Sequence, residues 1–492
     1  MYNDIRDFLA AFEAIGKLKR ITTRIKCGWP GSELAELSRY ILNEDIGPVL
    51  LENLDGYNMP DIPLILNLFG SPEKTAMTIG AKSWPEAVEK QTKIMKCTWP
   101  EPNIVDTGPC KEIKIDEQDV DLSAQVPKVW FTEGQSWVTG LVSVTSDPET
   151  GERNVGWYRY GFYDNHPNTD TPYDEEKRKK CLQGYIYWNP PMSQIGKHFA
   201  KAVKKGKPLE VAIAGPCDPA IHVASCTDLP IGSDEFAFAG ALRGGPVDLV
   251  RCETVDLCVP AGSEWVLEGE VIPGTDEPNW GHAHGMGYMD FGYILPMIKI
   301  KCITRRENPL WYATTEGKPP WDHQYIIFLN RYLFEKVREI IPEVKDIAMP
   351  APGITVVQLS VDGAEREPEI GKRVINTLWS IPRMPGVFKF VVVVGPDINP
   401  YDMQDVGWAL WSRCQPIRDS VFQKVFAMCE DPSVPGECEG PQKTKMTGEV
   451  VGFDATIKVP EHYSRFQEVV EPSRQSVENI AAKVQGELKG QG

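Results

Sequence analysis

The sequence predicts an α+β chain: an N-terminal α/β unit, a strand-rich middle curling into a partly open β-barrel, and a C-terminal α/β unit reached through a linker helix. Three observations carry this. Helix and strand patterns alternate from residue 3 to residue 95. Short strands with few helices fill the stretch to residue 305. The run Val387–Val394, VFKFVVVV, is apolar on both faces, as a strand inside a parallel sheet must be.

The elements follow in order. Ile5, Phe8, Leu9, Phe12 and Ile15 recur at helical spacing over residues 3–18, and a short strand follows at Ile21–Ile25. A second helix starts near Ser32 with Leu34, Leu37 and Ile41 inward. Pro48–Leu51 and Ile62–Leu68 read as buried strands and Pro85–Met95 as a helix. The Pro-rich stretch Cys97–Pro109 marks a boundary. Beyond it come strands at Leu209–Gly215, Val247–Val259, Glu264–Ile272 and Met297–Thr304, with helices at Ser193–Lys204 and Ser233–Leu242. A long helix is expected at His323–Ile341. The last unit has a strand at Thr355–Val361, a helix at Glu365–Ser380, the VFKFVVVV strand, a helix starting at Asp405–Cys414 and a terminal helix at Ser476–Leu488. The expected regions are 1–105, 106–305, 306–345 and 346–492.

Composition narrows the function. With 492 residues, 42% hydrophobic and 25% charged, the chain is an ordinary globular protein of two or three domains. A formal charge of −17 argues against nucleic acid and anionic membrane surfaces as main partners. The acidic-amphipathic start does not resemble a signal peptide, and no apolar run reaches membrane-spanning length, so a cytoplasmic protein is expected. The 12 cysteines include no C-x-x-C pair, which suits reduced thiols.

Polar residues inside apolar surroundings mark the candidate chemistry. A hairpin is expected from Val138–Ser146, the turn Asp147–Gly151 and a return arm from Arg153 to Tyr163. That arm carries Asn154 and Arg159. In a regular strand the two face opposite sides, and a bulge at Gly156 could bring them together. On this segment alone, Arg159 reads first as an ordinary exposed sheet arginine. Glu235 opens an otherwise apolar helix, where it either favours the N-terminus or binds a cation together with the Asn154 amide oxygen. The loop from Asp276 to Gly287 sets Glu277 and His282 five residues apart, a spacing at which two proton carriers can converge. His284 reads as a solvated loop residue, and no third soft ligand supports zinc. The stretch Asn189–His198 is a helix start able to bind phosphate.

Six ordered motifs tie these stretches together: N-V-G-W-Y-R at 154–159, D-P-A-I at 218–221, S-D-E-F-A-F-A-G-A-L-R-G at 233–244, V-P-A-G-S-E-W-V-L-E-G-E at 259–270, G-H-A-H-G-M-G-Y at 281–288 and D-V-G-W-A-L-W-S-R at 405–413. In order and spacing, over roughly residues 100–460, they resemble the UbiD family of prenylated-flavin (de)carboxylases. The resemblance implies a flavin-reductase-like split β-barrel after the N-terminal α/β region, then a linker helix and a C-terminal α/β dimerisation domain. It implies prenylated FMN, a divalent metal (Mn²⁺ or Mg²⁺) and often K⁺. Asn154 and Glu235 fall at metal positions. For the third ligand, counting back from Gly206-Lys207 lands on Gln194, with His198 one turn later, and the reading leans to His198. Asn154, Trp157, Tyr158, Arg159, Gln194, Ser225, Thr227 and Glu235 form the implied cofactor set, with Ala224, Ser225, Thr227 and Arg413 near the monovalent ion. Arg159, Glu277 and His282 are the implied catalytic trio, His282 standing where the family usually has a second acid.

That substitution suggests a phenolic, polycyclic or heteroaromatic acid as substrate. The implied reaction is reversible loss of CO₂ from an aromatic or heteroaromatic carboxylic acid. Partners implied are a flavin prenyltransferase supplying the cofactor, a second copy or higher homo-oligomer, and other carboxylase subunits. Competing readings are a flavin reductase, for which no G-x-G-x-x-G follows a strand, and a non-catalytic subunit of a larger carboxylase.

Overall fold

The computed structural model describes residues 1–131, 136–163, 174–186, 193–230, 232–279, 281–290, 293–314, 316–329, 331–361, 367–381, 388–427, 431–434, 447–458, 470, 472 and 474–488. The chain divides into two compact units. The first comprises Met1–Pro342, Leu378–Lys389 and Phe422–Val450; the second comprises Glu343–Thr377, Phe390–Val421 and Val451–Gly492.

A nine-stranded antiparallel sheet organises the first unit. It runs Arg153–Trp157, Val142–Ser146, Leu209–Gly215, Trp265–Val271, Met297–Arg305, Cys181–Tyr185, Arg159–Phe162, Trp137–Val138, with Ile113–Asp116 also paired to Met297–Arg305. The strands 153–157 and 159–162 are consecutive in sequence yet lie toward opposite ends of this path. Only Tyr158 separates them, so the sheet must curl until its ends approach one another. The Ser143 and Tyr160 hydroxyls meet across that approach at 2.5 Å. The result is a partly closed barrel. Leu182, Ile213, Leu267, Ile298 and Ile300 are fully buried in its core.

The expected hairpin is therefore modified. Its turn forms, with Gly151 N donating to Asp147 O at 2.8 Å. The register from Arg153↔Ser146 to Trp157↔Val142 is unbroken, so there is no bulge at Gly156. The return arm instead breaks at Tyr158, and Arg159 resumes in register with Tyr185. Gly156 is required for another reason: a Cβ there would lie 2.4 Å from the Tyr158 ring.

Three helices, Gln194–Lys204, Pro219–Ser225 and Glu235–Arg243, all pack against strand Arg153–Trp157. Each has a side-chain cap: Ser193 accepts from Gly196 N, Asp218 from Ala220 N and Asp234 from Phe236 N. The stretch expected as one strand at Val247–Val259 is two, Asp248–Arg251 and Cys258–Pro260, paired antiparallel.

The N-terminal sheet orders Lys19–Ile21, Val49–Leu51, Leu64–Leu66 and Trp311–Tyr312. Its last strand arrives from beyond the barrel, with Trp311 opposite Leu64. The expected single helix at His323–Ile341 is two, Gln324–Phe328 and Tyr332–Ile340. At the break, Arg331 N donates to the buried Gln91 Oε1 at 3.0 Å instead of to a carbonyl one turn back.

In the second unit, Ile354–Leu359, Phe390–Val394 and residues 451–455 run parallel, with Val344–Ala351 antiparallel at the edge. Val391 to Val394 are buried between neighbours on both sides. Among the described residues no helix is long and apolar enough to cross a membrane. All ten described cysteines are free thiols.

Candidate active site

Strand Arg153–Trp157 and the three helices around it enclose a cavity of about 370 Å³. Asn154, Trp157, Tyr158, Gln194, Ser225, Thr227 and Glu235 line it, with Arg153 and Ser193. The first residues of two helices, Gln194 and Glu235, line it, so two helix dipoles favour an anion such as phosphate there, although Ile195 N already donates to Tyr158 Oη and Gly196 N and Phe236 N to their caps. Arg153, which the sequence reading passed over, adds a guanidinium held at 2.5 Å from Asp234.

Two features of this cavity look unfinished without a ligand. The Asn154 side chain is buried, and its amide nitrogen has no hydrogen-bond partner among the described residues. Burial raises the Glu235 carboxyl to about 7, although Val155 N donates to it at 3.1 Å. A cation bound there would hold Glu235 in its charged form and take the Asn154 amide oxygen as a ligand, while the unpartnered amide N–H calls for an acceptor such as a phosphate oxygen. Ser225 and Thr227 donate their hydroxyls to the carbonyls of His222 and Val223, leaving oxygen lone pairs as acceptors. The donor set is oxygen-rich and fits a hard divalent ion beside a phosphate.

Trp157 leans toward His222, Tyr312 and His323, with ring centroids 5.2, 6.2 and 5.6 Å away. Burial pushes His222 down to about 3, so that imidazole is neutral.

Across the break at Tyr158 the environment changes. The Arg159 Nη2 lies 2.6 Å from Glu316 Oε1, and its Nη1 reaches the Ala283 carbonyl at 3.5 Å. Glu277 is paired with Lys177. It sits on a two-residue strand opposite Leu295, and Gln183 ties this strand down by donating to Pro278 O at 3.2 Å. The backbone of His282 pairs with Asp290, but its side chain lies outside the described residues. Arg159 and Glu277 are thus held by different partners, Glu316 and Lys177. A second cavity of about 370 Å³ borders this region, with Arg39, Phe131, Ala283, Tyr288, Glu316 and Lys318 in its walls.

Gln194 lines the first cavity and His198 does not. The expectation at His198 is corrected: the ring is buried, its Nδ1 is 3.0 Å from Thr145 Oγ1 and its Nε2 is 3.9 Å from Asp147. Burial lowers it to about 4. One helical turn separates the two residues on the same face: Gln194, at the helix start, lines the cavity, while His198, one turn deeper, lies against Thr145 and Asp147. Among the described residues no three His, Cys, Asp or Glu side chains gather as a metal site. Arg413 belongs to the second unit, where it grips Asp397 at 2.9 and 2.5 Å. Glu316 and His323 carried no sequence signal beyond an acid and an imidazole in a Gly/Pro loop.

Residues 103–319 match the 3-octaprenyl-4-hydroxybenzoate carboxy-lyase Rift-related domain of UbiD, and residues 324–455 match its C-terminal domain. The chain belongs to the UbiD family. This family and its structural neighbours are carboxy-lyases, and so is this protein. An uncharacterized protein of Synechocystis sp., sll0936, is 31% identical over 98% of this chain and 95% of its own length. The UbiD-class enzyme HmfF from Pelotomaculum thermopropionicum, in complex with FMN, superposes with a TM-score of 0.78 at 26% identity, covering 96% of this chain and 98% of HmfF. An evolved dimeric form of HmfF was solved with prFMN. Vanillic acid decarboxylase of Sedimentibacter hydroxybenzoicus, ShVdcCD, in closed form, gives a TM-score of 0.80 at 26% identity, covering 99% of each chain.

Proposed function

We propose that this UbiD-family protein catalyses reversible, non-oxidative decarboxylation of an aromatic or heteroaromatic carboxylic acid with prenylated FMN, held by Mn²⁺ or Mg²⁺ and accompanied by K⁺. The observation that carries the reading is the first cavity, where a buried carboxyl raised to about 7 and an unsatisfied buried amide adjoin two helix N-termini and two aromatic rings.

Asn154, Glu235 and Gln194 would hold the divalent ion, and Ser225 and Thr227 would serve the monovalent ion. Trp157 and Tyr158 offer flat apolar surface for a ring system, and Arg153 with the helix N-termini would take the phosphate. When bound, the prenylated flavin supplies the electron sink for the charge left as CO₂ departs from an aryl carbon. Arg159 would bind the substrate carboxylate through two donors of its planar fork. Glu277 would then deliver a proton from its carboxyl oxygen to the former carboxyl carbon, with His282 as the second proton carrier. In the carboxylating direction the same groups act in reverse order.

The relatives support this choice of substrate class, since a vanillic acid decarboxylase shares 26% identity over nearly the whole chain. A homo-oligomer, assembly with other carboxylase subunits and loading by a flavin prenyltransferase complete the proposal. The test is co-expression with a flavin prenyltransferase, anaerobic purification, a visible spectrum and cofactor mass, then assay against a panel of phenolic and heteroaromatic acids. Prenylated FMN bound with CO₂ release is the expected result. Unmodified FMN, or no flavin, would overturn it.

A further inference from the structure

The acid that touches Arg159 is Glu316, on a loop remote in sequence from both the arginine and the Glu277–His282 segment. Strand Trp311–Tyr312 is locked into the N-terminal sheet, which anchors the start of that loop. Glu316 Oε1 lies 2.6 Å from Arg159 Nη2 and 3.3 Å from His323 Nε2, so one carboxylate oxygen is shared by a guanidinium and an imidazole. All three are shielded, with side-chain exposures of 25% for Arg159, 10% for Glu316 and 14% for His323. His323 is fixed between Trp157, 5.6 Å away, and Trp321, stacked at 6.0 Å. Glu316 and Ala283, which both contact Arg159, line the second cavity, so the guanidinium lies directly behind its wall.

A guanidinium has five N–H donors in a rigid plane, and holding one edge orients the other. We infer that Glu316, braced by His323, is the positioning residue that holds Arg159 by Nη2 and so sets the guanidinium plane on which recognition of the substrate carboxylate depends. This rests on the reading of Arg159 as the carboxylate-binding group. Glu316 carries a negative charge close to an incoming anion, so it opposes binding while improving alignment. Its loss should therefore separate affinity from turnover, which a merely structural residue would not do.

The test has two arms. In the first, benzoate binds full-length, flavin-free, metal-loaded chain and is followed by calorimetry. Glu316→Gln is expected to tighten benzoate binding three- to tenfold, and Arg159→Ala to abolish it. In the second, the holoenzyme with prenylated FMN is assayed by hydrogen–deuterium exchange on a phenolic product. Glu316→Gln is expected to lower kcat 10- to 100-fold without raising KM, at unchanged flavin and metal content, and Glu316→Asp to recover part of the loss. His323→Asn should lower kcat in the same sense with benzoate affinity unchanged. A benzoate Kd within twofold of wild type for Glu316→Gln overturns the inference, as does a drop in kcat that tracks lost flavin. The first arm needs no turnover, so the assignment of Glu316 can fail or stand independently of the decarboxylation reading.

Discussion

One segment of ten residues, Arg153–Phe162, serves two environments that differ in how their charges are met. Before Tyr158, the cavity contains a buried amide nitrogen with no partner and a carboxyl held near 7 by desolvation. After Tyr158, Arg159 and Glu277 are already paired, with Glu316 and Lys177. The first environment costs stability until a ligand arrives, whereas the second is already charge-paired before one binds. Cofactor affinity and substrate turnover should therefore respond to different substitutions, although the residues are neighbours in sequence.

The largest effect is expected on the substrate side. Arg159→Ala should reduce hydrogen–deuterium exchange on a candidate product at least about 1,000-fold, since a two-pronged carboxylate contact cannot be replaced by water. Metal and flavin content should stay within twofold of wild type. Loss of metal along with activity would break the division between the two ends.

On the cofactor side, Glu235→Gln should lower Mn²⁺ content by about 100-fold, read by elemental analysis. It should also stabilise the metal-free chain, and the sign can be worked out. The folded carboxyl sits at about 7 against an ordinary 4.5, so between these values the folded state keeps a proton that the unfolded state releases. Stability therefore falls as pH rises through that window, and above it the full penalty of about 3 kcal/mol applies. The variant escapes this, so the melting temperature of its apoprotein at pH 8 should exceed that of wild type, with a smaller gap at pH 5. Equal melting temperatures at pH 8 would mean that Glu235 is not held in an unfavourable site.

Smaller effects follow. Lys177→Met removes the partner of Glu277 and should slow exchange about tenfold at unchanged metal content. Gly156→Ala forces a Cβ against the Tyr158 ring and should cost about 1–3 kcal/mol, seen in denaturant unfolding, with weaker flavin retention.

Much of the first cavity's lining was legible because its residues sit on contiguous motifs. N-V-G-W-Y-R places Asn154, Trp157 and Tyr158 on one strand, and S-D-E-F marks the capped start that carries Glu235. Gln194 and His198 share a helix and differ by one turn, so only the cap position and packing of that helix separate them. The break in the return arm was hidden because a single residue, Tyr158, ends one strand without Gly or Pro. Glu316 was hidden for a different reason: it meets Arg159 only because Trp311–Tyr312 joins a sheet made almost 250 residues earlier. That pairing is long-range and leaves no local pattern. The broken helix after His323 depends on a side chain, Gln91, that no periodicity within the helix reveals.

The most direct measurement is calorimetric titration of Mn²⁺, in the presence of FMN, into wild type, Glu235→Gln and Arg159→Ala. Wild type and Arg159→Ala should bind alike, while Glu235→Gln should show no binding in the same concentration range. Equal binding by Glu235→Gln would contradict the account, because the buried carboxyl would then be no part of a cation site.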